Sequence, residues 1–204
     1  MTATRARLPA AERRAAVLQT ALRVFAAGSY RGVTTADIAR EAGVTEPILY
    51  RHFSSKRDLY LACLDEAWEQ TRVVWEGIVE TQSPAEWFQL MARSFLECRK
   101  ADAPLASLWI QALAEAGDDA EIRSHLRSHL RGVHDFLAGT IAHAQSVGAV
   151  LPERDAVAEA WVFMSLGLLG SIGQRLGGLA EEDFPRIRAA RREWMLGEAP
   201  GAPA

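Results

Sequence analysis

Two histidines at helical spacing are the first residues in this chain whose side chains could do chemistry. His125 and His129 stand four residues apart in a helical pattern, so both rings project from one face, as a metal site would need. The pattern supplies neither a cysteine nor a carboxylate on that face, and we therefore expect no metal. A Gly-x-Ser-x-Gly elbow, a Ser-His-Asp arrangement and a glycine-rich phosphate loop are also missing from the sequence. We accordingly expect no catalytic residues, no cofactor and no enzyme activity.

A tight turn between two short helical segments is the feature that could recognise nucleic acid. Ala39 is followed by Gly43 and Val44 in an A-x-x-x-G-V arrangement. Gly43 can adopt the left-handed backbone that ends a helix, and Ala39 is small where two helices would cross. A helix-turn-helix lays its first helix across the DNA backbone and puts the N-terminal end of its second into the major groove. Any three-helix packing unit could carry the same turn, so the turn alone leaves both interpretations open.

Helical periodicity runs through almost the whole chain and predicts an all-α fold that positions this turn. Proline, serine, threonine or aspartate marks most helix starts, and glycine or proline marks most ends. The nine predicted helices span about 9–27, 34–42, 45–53, 56–79, 85–100, 104–116, 120–147, 154–176 and 182–196.

Charge is distributed unevenly along the chain. Residues 1–60 contain ten basic and five acidic side chains, a net charge of +5. Residues 61–204 contain 13 basic and 21 acidic side chains, a net charge of -8. A basic head on an acidic body suits a protein that places one end on a polyanion, with a chance distribution as the alternative.

The N-terminal segment and the longest apolar stretch bear on location. Arg and Glu residues stand where a signal peptide would need an apolar run, so we expect a cytoplasmic protein. The most apolar stretch, 156–172, carries Glu159 and several Gly and Ser residues, so we expect no membrane span.

The segment around the turn resembles the DNA-binding signature of the TetR family of transcriptional regulators. The matching positions are Ala21-x-x-x-Phe25, Tyr30-x-x-Val33-Thr34-Thr35-x-Asp37-Ile38-Ala39-x-x-Ala42-Gly43-Val44-Thr45 and Leu49-Tyr50-x-His52-Phe53-x-Ser55-Lys56-x-x-Leu59. The resemblance covers about fifty residues, and the remainder is similar to the family only in length and in its plan of long helices. It implies a DNA-binding domain at 1–55 and a helical effector-binding and dimerisation domain at 56–197. The composition of the C-terminal residues separately predicts a disordered tail at 198–204.

The resemblance also implies two sets of DNA contacts. The residues expected to hold phosphates are Thr34, Thr35, Tyr50, His52 and Lys56. The residues expected to meet base edges are Thr45, Glu46, Pro47 and Arg51. Two alternatives stay open: Glu46 only stabilises the N-terminus of the third helix, and Tyr50 is only a partly buried aromatic. Many relatives have Gly-Thr where this chain has Pro47-Ile48, so an apolar group replaces a hydroxyl that would contact phosphate.

The resemblance further implies an effector pocket and a dimer interface in the helical body. The residues predicted to line the effector pocket are Trp68, Thr71, Trp75, Phe88, Met91, Phe95, Trp109, His129 and Phe136. Their largely aromatic character favours a mostly apolar ligand. The alternative is that these side chains are ordinary core. The residues predicted for an isologous homodimer interface, with intramolecular core as the alternative, are Ala160, Phe163, Gly167, Gly170, Ser171, Ile187 and Trp194.

These expectations combine into one hypothesis and two rivals. A ligand-free homodimer binds a palindromic operator as a repressor, and a small-molecule effector in the body shifts the fourth helix and releases the DNA. An activator would use the same DNA contacts. The rival from another class is a helical ligand-binding or interaction protein in which the N-terminal unit is only a structural cap.

Overall fold

The helix boundaries follow the cap and turn residues of the sequence. The computed structural model describes residues 9–97 and 105–197, and within them all regular structure is helical, which confirms the all-α prediction. The helices are α1 (Ala10–Ala27), α2 (Thr35–Glu41), α3 (Glu46–Tyr50), α4 (Lys56–Thr81), α5 (Trp87–Glu97), α6 (Leu105–Glu115), α7 (Ala120–Ser146), α8 (Ala156–Arg175) and α9 (Phe184–Leu196). The observed ends lie within three residues of the predicted ones. The tail predicted at 198–204 lies outside the described residues, as do the predicted end of the fifth helix and the predicted start of the sixth.

Contacts divide the chain into two compact units. The first consists of Met1–Glu69 and Asp102–Leu126, and the second of Gln70–Ala101 and Arg127–Ala204. The first unit therefore holds α1 to α3, the start of α4, α6 and the start of α7. The second holds the end of α4, α5, most of α7, α8 and α9. The boundary at residue 55 between a DNA-binding domain and an effector-binding domain stays a prediction.

The core of the first unit is built from one face of α1 packed against α2, α4 and α6. Phe25 is fully buried and its ring meets that of Tyr60 edge-on, with 5.1 Å between centroids. Tyr60 is also fully buried and donates a 2.8 Å hydrogen bond to the carbonyl of Leu108 in α6. Because this partner satisfies the buried hydroxyl, a polar group can stay inside the core, and burial raises its pKa. The core thus ties α1, α4 and α6 together.

Aromatic side chains dominate the interior of the second unit. Trp75 of α4 is buried, and its ring lies about 6 Å from the rings of Phe95, Phe136 and Phe163. Its indole nitrogen donates to the hydroxyl of Ser94 at 3.1 Å, so its polar atom is satisfied as well. One tryptophan therefore joins α4, α5, α7 and α8.

Candidate DNA-binding surface and ligand cavity

Helices α2 and α3 and the turn between them form a helix-turn-helix. Gly43 has φ of 65°, the left-handed backbone predicted for this position. The amide of Val44 donates to the carbonyl of Ala39 at 2.9 Å and closes the end of α2. Ala39 is 2% exposed, as expected for a small residue where helices cross. The turn thus has the geometry that its sequence predicted.

The start of α2 is fixed by a reciprocal capping box. The hydroxyl of Thr34 accepts from the amide of Asp37 at 3.1 Å, and the amide of Thr34 donates to the Asp37 carboxylate at 3.2 Å. Hydrogen bonds from Thr34 lower the pKa of Asp37, and a hydrogen bond from Arg40 lowers it further. Thr34 is exposed at this end, beside the first amides of the helix. Its side chain has a structural role in addition to the predicted contact with phosphate.

A hydrogen-bonded bridge links α2 to α3. The hydroxyl of Thr35 donates to a carboxylate oxygen of Glu46 at 2.6 Å and lies 3.1 Å from the hydroxyl of Tyr50. Thr35 is buried, Glu46 is half-buried and Tyr50 is 47% exposed. The bridge holds the first and last residues of α3 against α2, so all three predicted DNA contacts also position the recognition helix.

The two faces of α3 differ sharply. Leu49 is completely buried, and Phe53 just beyond the helix is 1% exposed. The predicted DNA contacts on the outer side that are exposed are Thr45, Pro47, Tyr50 and Arg51. Thr45 occupies the N-cap, but its side chain makes no capping hydrogen bond. Anchored on one side and open on the other, α3 presents its N-terminal end outward.

The two remaining predicted phosphate contacts follow α3. His52 is half-buried. Lys56 is also half-buried, and its ammonium lies 4.8 Å above the centre of the Tyr30 ring. Burial lowers the pKa of Lys56, with a smaller opposing effect of Glu115. A phosphate near Lys56 would therefore meet a cation whose position is already set by an aromatic ring.

Two arginines of the basic N-terminal region are neutralised by acids far away in the sequence. Arg31 forms ion pairs with Glu115 and Asp118, and Arg57 forms them with Asp119 and Glu121. These pairs hold the α6–α7 turn within the first unit. They also show that the net charge of residues 1–60 overstates the positive charge available to DNA.

The surroundings of His125 differ from those that the sequence pattern indicated. The Nε2 atom of His125 lies 2.8 Å from a carboxylate oxygen of Asp65, so a carboxylate approaches this histidine from α4. The linear pattern could not reveal this contact because 60 residues separate the two. The expectation that the chain holds no metal stays a prediction.

The second unit contains a cavity of about 290 Å³. Its walls come from α5, α7, α8 and α9, and most of the lining side chains are apolar. Its lining includes Phe88 and Phe95 of α5, Phe163 of α8 and Phe184 of α9. Its volume lies near the lower end of the range for small-molecule sites, roughly 300–1,000 Å³.

The predicted pocket residues divide into three groups. Phe88 and Phe95 line the cavity. The other predicted residues in the second unit that do not line it are Thr71, Trp75, Met91, His129 and Phe136. Trp68 and Trp109 lie in the first unit, where Trp109 is 5% exposed.

The residues predicted for the dimer interface also divide. Ala160, Gly170 and Ser171 are buried within the chain. Phe163, Gly167 and Ile187 line the cavity, whereas Trp194 is 47% exposed. The sequence did not distinguish the inner side of α8 and α9 from their outer side.

Sequence reasoning missed a charged cluster in the cavity wall. The carboxylate of Glu159 is 10% exposed, forms an ion pair with Arg191 and accepts a 2.8 Å hydrogen bond from the indole nitrogen of Trp194. Burial lowers the pKa of Arg191, and the nearby positive charge of Arg154 lowers it further. Arg188 and Arg192 of α9 also line the cavity. The available signal was the spacing of Phe184, Arg188, Arg191 and Met195, which places all four on one face of a helix.

Comparison with known proteins agrees with the geometry of the first unit. Residues 17–63, from within α1 to early α4, match the family model described as bacterial regulatory proteins, tetR family. A TetR-family regulator from Cytophaga hutchinsonii superposes with a TM-score of 0.78 at 16% identity, covering 96% of this chain and all of that one. Residues 17–63 therefore carry the sequence signature of the tetR family, and the fold of the chain is similar to that of a solved TetR-family regulator. The family-model match confirms the resemblance of the turn region, and the fold agreement extends over both units.

Curated relatives match this chain to different extents. The transcriptional activator FasR of Mycolicibacterium smegmatis is 50% identical over 58 residues, 28% of this chain and 26% of FasR. The transcriptional regulatory protein RaaS of Mycobacterium tuberculosis is 26% identical over 163 residues, 80% of this chain and 70% of RaaS. The chain thus matches only about a quarter of FasR.

Proposed function

We propose that this protein is a ligand-responsive transcriptional regulator of the TetR family that binds operator DNA through α2 and α3. The observation that carries the proposal is the exposed N-terminal side of α3, held by the buried Leu49 and Phe53. A helix presented in this way can enter the major groove, which is about 12 Å wide. Named relatives are transcriptional regulators, and we propose no catalytic role for this chain.

The exposed side of α3 supports a division of roles among the DNA contacts. Arg51 can donate two hydrogen bonds to guanine, and Pro47 can touch a thymine methyl group. Thr34 and Lys56 would hold phosphates and set the register of the helix. One carboxylate oxygen of Glu46 already accepts a hydrogen bond from Thr35. Glu46 would therefore contact bases only through its other carboxylate oxygen. Base preference therefore rests chiefly on Arg51.

We propose that the protein acts as a homodimer, because one helix-turn-helix contacts too little DNA for strong specificity. In the described part of the chain, α8 is the one helix long and apolar enough to cross a membrane by length and composition. Such a helix is weak evidence for a membrane span, and a face that pairs with a second copy explains its exposed apolar side chains equally well. Those side chains on α8 are Val157, Trp161 and Ile172. We propose a cytoplasmic location, where operator DNA is accessible.

The cavity is the proposed effector site. Its phenylalanine-rich lining favours a mostly apolar small molecule. A ligand that favours one arrangement of the helices over another by about 1–3 kcal/mol would change operator affinity about 5- to 150-fold. We propose that this change releases a repressor from a palindromic operator.

Selection of bound fragments from genomic DNA with the purified full chain tests the DNA-binding proposal. We expect enrichment of one near-palindromic sequence whose half-site centres lie about 34–36 Å apart. A mobility-shift titration on that sequence should show affinity that falls steeply with salt. Equal binding to selected and scrambled fragments would instead favour a helical ligand-binding or interaction protein without specific DNA recognition.

A reporter gene placed behind the selected operator distinguishes repression from activation. We expect expression to fall when the protein is supplied and to recover in a variant with Arg51→Ala. Activation is the second candidate, since FasR is named a transcriptional activator and is 50% identical to this chain over 58 residues. Expression that rises with the protein would establish activation and overturn our choice of repression.

A further inference from the structure

The charge of the cavity wall narrows the class of ligand. Among the described residues, four charged side chains line the cavity, three arginines of α9 and Glu159 of α8, and together they carry a net charge of +2. The remaining lining residues are apolar except Gln89. An apolar chamber with a positive rim is suited to a molecule whose own charge is negative and confined to one end.

Glu159, the one acidic side chain that the described residues contribute to the wall, already has partners within the protein. Glu159 is bonded to both Arg191 and Trp194, so its negative charge is compensated within the protein. A cationic ligand would have to compete with these partners for the carboxylate. Because separating a buried ion pair is costly, Glu159 is a poor anchor for a cation.

Arg188 is the basic group best placed to meet a ligand. It lines the cavity and is also exposed to solvent, and within the described residues no acidic side chain pairs with it. Arg192 lies one helical turn further along α9 on the same side. A guanidinium at the border between solvent and an apolar chamber can bind an anionic head while the rest of the ligand is buried.

We propose that the cavity binds an amphipathic anion, with its apolar chain among Phe88, Phe95 and Phe163 and its anionic head at Arg188. The inference rests on the proposed role of the cavity as the effector site and specifies the chemistry of that effector. Carboxylates and phosphate monoesters share the necessary head-group charge.

Binding of four probes with the same eight-carbon chain tests this inference in the full-length protein. The probes are octanoate, octyl phosphate, octanol and octyltrimethylammonium, measured by calorimetry below their micellar concentrations. We expect octanoate and octyl phosphate to bind more tightly than octanol, and octyltrimethylammonium to bind weakest. Comparison of the two anions identifies which head group the site prefers.

Variants of α9 separate the charge from the apolar contacts. Arg188→Gln should weaken octanoate binding roughly fivefold and leave octanol binding unchanged, because only the anion loses a charged partner. Arg188→Lys should restore most of the octanoate affinity. The matched control is Arg186→Gln, which removes the same charge from the same helix at a side chain that is 87% exposed and does not line the cavity. Ala92→Phe, which fills space in the cavity, should weaken octanoate and octanol alike.

The possible results distinguish this inference from the proposed function. Octanol or octyltrimethylammonium binding as tightly as octanoate would overturn the preference for anions and leave the effector cavity in place. Failure of all four probes to bind would overturn both the inference and the effector role of the cavity. Operator binding is measured without any probe, so neither result affects the DNA-binding proposal.

Discussion

The helix-turn-helix and the cavity place aromatic and polar residues in opposite arrangements. Around α2 and α3 the core side chains Ile38, Leu49 and Phe53 are almost completely buried, and polar side chains bond to neighbouring helices or face outward. Around the cavity, Phe88, Phe163 and Phe184 are only half-buried, and within the described residues α9 has no buried side chain. Reading DNA requires a helix held rigidly against its own core. Binding a small molecule requires volume that the protein's own side chains leave unfilled.

The largest expected difference between the two regions is the cost of removing a phenylalanine. Phe25→Ala should lower the free energy of unfolding by about 4 kcal/mol, because its fully buried ring leaves a cavity in a packed core. Phe88→Ala should lower it by only about 1 kcal/mol, because that ring already borders empty space. Guanidinium titrations followed by circular dichroism measure both. Equal costs would show that the second unit is packed as tightly as the first.

The charged pair in the cavity wall should give the next largest effect. Arg191→Leu should destabilise the protein by about 2 kcal/mol, because it leaves the nearly buried Glu159 with Trp194 as its remaining partner among the contacts described. The double variant Glu159→Leu, Arg191→Leu serves as the matched control and should be more stable than the single variant. A double variant less stable than Arg191→Leu would show that the ion pair stabilises the fold by more than neutralising the buried charge of Glu159.

Substitutions on the exposed side of the first unit should affect DNA recognition and leave stability nearly unchanged. Arg51→Ala should reduce discrimination between the operator and a single-base variant by about 1–2 kcal/mol. Lys56→Ala should weaken binding to all sequences alike and lower the salt slope by about one. Arg186→Ala, in the second unit, controls for loss of one positive charge. Mobility-shift titrations at several salt concentrations measure these effects, and identical profiles for the Arg51 and Lys56 variants would contradict the division of roles.

A smaller effect is expected from the bridge between α2 and α3. Thr35→Val retains the shape of the side chain but removes the hydroxyl that contacts Glu46 and Tyr50, and should cost about 1 kcal/mol. Thr45→Val at the exposed N-cap, whose side chain makes no capping bond, should cost less, about 0.5 kcal/mol. Thermal unfolding measures both. A larger loss at Thr45 would mean that the N-cap hydroxyl, rather than the bridge, stabilises α3.

The weakest effect should appear in acid. A hydrogen bond from the amide of Ile122 lowers the pKa of Asp119 below its ordinary value of 3.8, and a hydrogen bond from Arg57 lowers it further. A carboxyl with a lowered pKa in the folded state stabilises the protein above that ordinary value, and this contribution is lost as pH falls through the folded-state pKa. Stability measured by denaturant titration from pH 6 downward should therefore fall below about pH 4 less steeply in Asp119→Asn than in the unsubstituted chain. The same slope in both would show that Asp119 does not contribute to acid sensitivity.

Local sequence determined most of the helix-turn-helix. The left-handed Gly43, the capping box of Thr34 and Asp37 and the buried Leu49 all depend on residues a few positions apart. Short-range hydrogen bonds and side-chain periodicity set such features, so they could be predicted without a tertiary structure. The helix boundaries elsewhere follow from the same local rules.

Tertiary structure alone decided which side chains meet around the cavity and which charges are neutralised. Helical periodicity places Phe163 and Trp194 on helices without showing whether a side chain faces a cavity, the core or solvent. Glu159 and Arg191 are 32 residues apart, and Arg57 and Asp119 are 62 apart, so no local pattern pairs them. The sequence therefore determined by itself the helices and the DNA-binding turn, because their interactions are local. Packing between distant helices decided the shape and charge of the cavity.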